Sequence, residues 1–87
     1  MHERGLVQAL VRRLEEVARS QGAVRVTAVR VRLGPLAGVS QEHFREHFQE
    51  LTRGTVAERC RLEILADESL EPRGLEGVMV ESVDLEG

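Results

Sequence analysis

The apolar residues of this chain change their period at Gly22. Before it, Leu6, Val7, Leu10, Leu14 and Val17 recur at helical spacing, and Val11 and Ala18 widen the stripe. Arg12, Arg13, Glu15, Glu16 and Arg19 fall elsewhere. After it, Val24 to Leu33 alternates with the period of two that marks a strand. A helix and a strand that are each apolar on one side have to be buried against other elements, so the switch commits the chain to a layered helix-on-sheet design. The stripe predicts an amphipathic helix of about four turns, with Gly22 as its C-cap. Gly5, a poor helix former, is expected to leave the first residues loose.

The alternation after Gly22 slips in phase. Val24, Val26 and Ala28 share one face, whereas Val29, Val31 and Leu33 share the other. A β-bulge near Ala28-Val29 explains this, and so does a strand buried on both faces. Gly34-Pro35 ends the strand. Ser40 then offers an N-cap for a second helix, with Glu42 favourable in its first turn, Phe44, Phe48 and Leu51 as the buried stripe, and Gly54 closing it. Cys60, Leu62 and Ile64 alternate as a second strand, and Val78 to Leu85 as a third. The order helix, strand, helix, strand, strand predicts an α+β fold, a three-stranded mixed sheet with both helices packed on one face. Phe44 and Phe48 are the only aromatic residues, so the rest of the core is aliphatic.

Eighty-seven residues make one domain, 1–87, small enough that every apolar side chain counts. A domain of this size could bury a sheet edge or a helix face in a homodimer. The formal charge of −3 is spread without a basic block, which argues against nucleic acid as a partner. There is no apolar run of membrane-spanning length and no basic-then-apolar leader, so a soluble, cytoplasmic protein is expected. The single cysteine, Cys60, rules out an internal disulfide and fits a reducing compartment. It alternates in phase with Leu62 and Ile64 and reads as a small buried hydrophobe, since no local base or electropositive pocket would activate it. No phosphate-binding glycine motif is present, and no acid–base or nucleophile constellation can be assembled, so the chain does not read as an enzyme.

Metal chemistry is the exception to this plainness. In Met1-His2-Glu3 an imidazole sits one residue from the chain's first amine. The amine, the His2 amide once deprotonated, and His2 Nδ1 can close two fused rings on one square-planar ion. The Glu3 carboxylate or an outside ligand then fills the fourth position. Such N,O donor sets favour Cu(II) or Ni(II). A second candidate is the pair His43 and His47, four residues apart on the second helix, a spacing that can put two imidazoles on one metal. No third ligand at matching reach is evident for that pair. Partly exposed histidines beside an apolar stripe are also ordinary.

The chain resembles the HypA/HybF family of nickel-incorporation proteins along nearly its whole length. The resemblance is carried by Met1-His2-Glu3, Gln21-Gly22-Ala23-Val24-Arg25-Val26-Thr27, Val31-Arg32-Leu33-Gly34 with Gly38-Val39, and the stretch Arg53-Gly54-Thr55-Val56-Ala57-Glu58-Arg59-Cys60-Arg61-Leu62-Glu63-Ile64. The tail from Gly77 to Glu86 is similar to the family's closing strand. The resemblance implies that the amino terminus, the His2 side chain and Glu3 carry nickel as transient cargo. It implies as partners a nickel-insertion GTPase and the precursor of a nickel enzyme, a [NiFe] hydrogenase or urease. It gives His43 and His47 no role. The family's small zinc domain, with paired C-x-x-C motifs, has no counterpart here. The connection 66–76 is polar and contains no cysteine, so no zinc is expected. The alternative implied by that loss is an interaction or regulatory module that kept the fold and gave up metal delivery.

Overall fold

The computed structural model describes residues 3–34, 40–69 and 77–87, with the side chain of Glu3 outside the description. Helix α1 spans Glu3–Ser20, strand β1 Arg25–Leu33, helix α2 Gln41–Leu51, strand β2 Arg61–Ala66 and strand β3 Val78–Glu86. At 18 residues, α1 has about five turns rather than four, because it runs through Gly5 to begin at Glu3. Its far end is capped as the sequence predicts. Gly22 adopts φ +65°, the Ala23 amide donates to the Ala18 carbonyl, and the Gly22 amide donates to that of Arg19. This pair of bonds is a Schellman cap, and it needs a left-handed residue at Gly22. A Cβ there would meet no atom within 4 Å, so only backbone strain selects glycine.

Strand β1 is the middle strand of the sheet, in the order β2-β1-β3, parallel to β2 and antiparallel to β3. The phase slip is a bulge. Val26 pairs with Leu85 and Ala28 with Asp84, which leaves Thr27 as an extra residue in β1. A second shift follows, with Arg30 opposite Ser82 and Val31 opposite Val80, so that Glu81 is extra in β3. The two bulges bring Val26, Val29, Val31 and Leu33 onto one buried face, opposite Leu85, Val83, Val80 and Val78. Val24 lies outside this arrangement. The strand begins one residue later, and the Val24 side chain is 66% exposed, although its amide still donates to the Glu86 carbonyl.

Parallel pairing of β1 with β2 requires a crossover, and α2 supplies it. The Ser40 hydroxyl accepts from the His43 amide at 3.1 Å, the expected N-cap, and Glu42 lies in the first turn. Phe44 and Phe48 are fully buried, and Leu51 partly. Gly54 does not close this helix. Thr52 does, its amide and hydroxyl both bonding to the Phe48 carbonyl, and Gly54 (φ +76°) turns the chain two residues later. The chain then returns so that the Val56 carbonyl accepts from the Val26 amide and Ala57 is buried, before β2 starts at Arg61. Cys60 thus precedes β2 instead of opening it, and is half-buried instead of fully buried.

One apolar cluster joins α1, α2 and the inner face of the sheet. Leu6, Val7, Leu10, Val11, Leu14 and Ala18 of α1 meet Phe44, Phe48, Leu62 and the β1 valines there. The outer face is polar. Arg30 pairs with Glu63 at 3.2 Å, and Arg32 bridges Glu81 at 2.9 Å and Asp67 at 3.2 Å. The bulge at Glu81 is what turns that carboxylate toward Arg32. The connection from β2 to β3 is held at both ends by adjacent residues, the last of β1 and the one after it. The Asp67 amide donates to the Leu33 carbonyl, and the Gly34 amide donates to that of Gly77. No helix among the described residues is long and apolar enough to cross a membrane.

Candidate metal centre

Met1 and His2 fall outside the described residues. Glu3 is described only as the first residue of α1. Next to Glu3, the Arg4 guanidinium meets the Glu50 carboxylate at 2.9 Å. The first turn of α1 is thereby tied to the last turn of α2. The hydrogen bond from Arg4, and then its charge, hold the Glu50 carboxyl below its ordinary range, with smaller help from His47 and Arg53.

His47 lies one turn before Glu50 on α2, and His43 one turn before that. His43 is exposed. His47 is partly buried, with its Nδ1 shielded from solvent. Among the described residues no group of three or more histidine, cysteine, aspartate or glutamate side chains is gathered to hold a metal. The Arg4–Glu50 tie was not foreseen from the sequence. The two residues are 46 positions apart and carry no motif, and only the packing of α1 on α2 brings them together.

Cys60 opens onto a shallow cleft lined by Phe48, Gln49, Thr52, Arg53, Glu58 and Arg59. Burial, with the Asp84 carboxylate adding to it, pushes the thiol up to about 11. At neutral pH the sulfur stays protonated, the wrong form for a nucleophile or a soft metal ligand. The residue is less buried than its phase suggests.

Residues 1–70 match the family described as hydrogenase/urease nickel incorporation, metallochaperone, hypA. Among curated relatives, the hydrogenase maturation factor HypA of Azotobacter chroococcum mcd 1 is 46% identical over 65 residues, covering 75% of this chain and 58% of the relative. That of Thermococcus kodakarensis is 39% identical over 70 residues, 80% of this chain and 50% of the relative. The matched stretch thus spans little more than half the length of these relatives. The fold is similar to the solution structure of the Ni metallochaperone HypA from Helicobacter pylori, with a TM-score of 0.81 and 16% identity. That match covers 99% of this chain and 98% of the other. A second HypA solution structure aligns at TM-score 0.66 and 21% identity, over 100% and 93% of the two chains.

Proposed function

From the premise that this chain belongs to the HypA family, we propose that it is a nickel carrier that takes up Ni(II) at Met1-His2-Glu3. The observation that supports this most directly is that the family match begins at residue 1 and so includes that tripeptide. The donors are the Met1 amine, the deprotonated His2 amide, the His2 imidazole and the Glu3 carboxylate, a set suited to square-planar Ni(II). A sphere that is incompletely filled by rigid protein groups suits transfer, because an incoming ligand can attack before the site comes apart. The recipients in this reading are a nickel-insertion GTPase and a nickel-enzyme precursor in the cytoplasm, and the chain carries nickel without catalysing a reaction.

One equivalent of Ni(II) is expected to bind, more tightly at pH 8 than at pH 6. α-Amines ordinarily titrate at about 7.7–8.0 and imidazoles at about 6.5, and both have to lose protons to coordinate. His2→Ala should abolish this binding and leave the circular dichroism spectrum unchanged. Nickel affinity surviving in that variant would remove the terminal chelate from consideration.

The same reading extends to zinc. We propose that 1–87 is a single nickel domain whose connection 66–76 stands where the family carries its zinc domain. Protein purified without metal-affinity resin should contain no stoichiometric zinc, and chelators should leave its Tm unmoved. One zinc per chain by elemental analysis would contradict this.

A further inference from the structure

We propose that the cleft at the carboxyl end of α2 is a docking site for an acidic segment of a partner protein, with Arg53 and Arg59 receiving its carboxylates. The cleft measures about 390 Å³, and its charged lining is Arg53, Arg59 and Glu58. Sites for small ligands and side chains have volumes of this order. Arg4, Arg25, Arg30 and Arg32 each pair with a carboxylate, and Arg45 donates to the Leu62 carbonyl. Among the described residues Arg53 and Arg59 have no such partner, and both are exposed. Glu58 pairs with neither of them. Arg53 is the least of the influences on Glu50, whose carboxylate Arg4 already holds.

The backbone gives a second and independent sign. Arg59 has φ +64°, the only left-handed conformation of a non-glycine among the described residues. The turn that imposes it is set by the Glu58 amide donating to the Thr55 carbonyl and the Cys60 amide donating to that of Ala57. A Cβ in this conformation carries a steric cost that glycine does not. The chain thus keeps an arginine where glycine would relieve the turn, and strain held in this way collects at binding sites.

The chemistry selects the occupant. A guanidinium fork matches a carboxylate, and the protonated Cys60 thiol brings no opposing charge. The chain as a whole carries −3, so its surface at large repels acidic molecules, a second copy included. Only a local excess of positive charge gives such a molecule a place. Because the cleft is shallow, a small free anion keeps much of its water there. A segment that covers the mouth excludes that water and strengthens the same ion pairs. The site is independent of the nickel reading.

The test titrates metal-free protein with fluorescein-labelled hexaglutamate, followed by anisotropy, and in parallel with sodium succinate. Hexaglutamate is expected to bind, less tightly as salt rises. Arg53→Gln and Arg59→Gly should each weaken it about tenfold, and Glu58→Gln should tighten it. Arg12→Gln, at an exposed position on α1, should leave it unchanged. Arg59→Gly is also expected to raise the Tm by a few degrees, so its loss of binding cannot come from unfolding. Amide shifts on titration should centre on Gln49, Thr52, Arg53, Arg59 and Cys60. No binding, unchanged affinity in both arginine variants, or shifts centred elsewhere overturns the site. Succinate binding as tightly as hexaglutamate overturns the partner segment in favour of a free carboxylate.

Discussion

Phe44→Ala is expected to lower the Tm by well over 10 °C and to leave part of the population unfolded at 37 °C. Phe44 is fully buried and is one of only two aromatic side chains. It sits where α2 meets the Leu6–Leu14 stripe of α1 in the single apolar cluster. Truncating a buried phenylalanine typically costs about 3–5 kcal/mol, part transfer and part residual cavity. A domain of this size has roughly 5–15 kcal/mol in all, and each kcal/mol moves its Tm by about 4–8 °C. Met79→Ala is the matching control, since that side chain is 51% exposed, and it should change stability by less than about 0.5 kcal/mol. Chemical denaturation of both variants checks the pair. A loss below about 1 kcal/mol at Phe44 would mean that the two helices do not depend on each other as their packing implies.

Blocking the Met1 amine is expected to weaken nickel binding by about two orders of magnitude, close to 3 kcal/mol. A Gly-Ser extension turns the amine into an amide and displaces the donor along the chain, so one donor and one chelate ring are lost together. Acetylation removes the same donor without changing the length. Both should leave the fold intact, because the first residue of the buried stripe that holds α1 is Leu6. Untagged, extended and acetylated proteins are compared by calorimetry at one pH, with intact mass confirming that Met1 is retained. Equal affinity in all three would show that the amine does not coordinate, and the nickel role of the tripeptide would have to be abandoned.

The architecture was legible from period and punctuation because both report local geometry. The α1 stripe, Gly22, Ser40 and the Phe44/Phe48 pair each point to the element in which they are found. The slip near Ala28 was legible as a bulge or as two-sided burial, and the pairing with β3 decides for the bulge. Its companion at Glu81 shows in the apolar pattern as well, as a slip from Val78 and Val80 to Val83 and Leu85, although the sequence reading took that stretch as plain alternation. What the sequence concealed depends on distant partners. The closing of α2 by Thr52 instead of Gly54 rests on a side chain reaching back to Phe48. The burial of Ala57 follows from the Val26–Val56 hydrogen bond, and the half-burial of Cys60 accompanies a turn that includes Arg59 at φ +64°. Of the candidate site, Met1-His2-Glu3 is readable as a donor set from bonding rules alone. The Arg4–Glu50 pair is not, because nothing short of the packed helices brings those two residues together.

The two hydrogen bonds that fasten the β2–β3 connection to Leu33 and Gly34 make it a socket. Its two ends sit on consecutive residues at the end of the central strand, Leu33 and Gly34. The entropy of closing a loop grows only logarithmically, by about 0.6 kcal/mol for each doubling of length. A long insert here is therefore nearly as compatible with the sheet as a short turn, provided its own termini lie close together. A change in the length of this connection is thus separated from the pairing of the three strands, whose register is set by other residues.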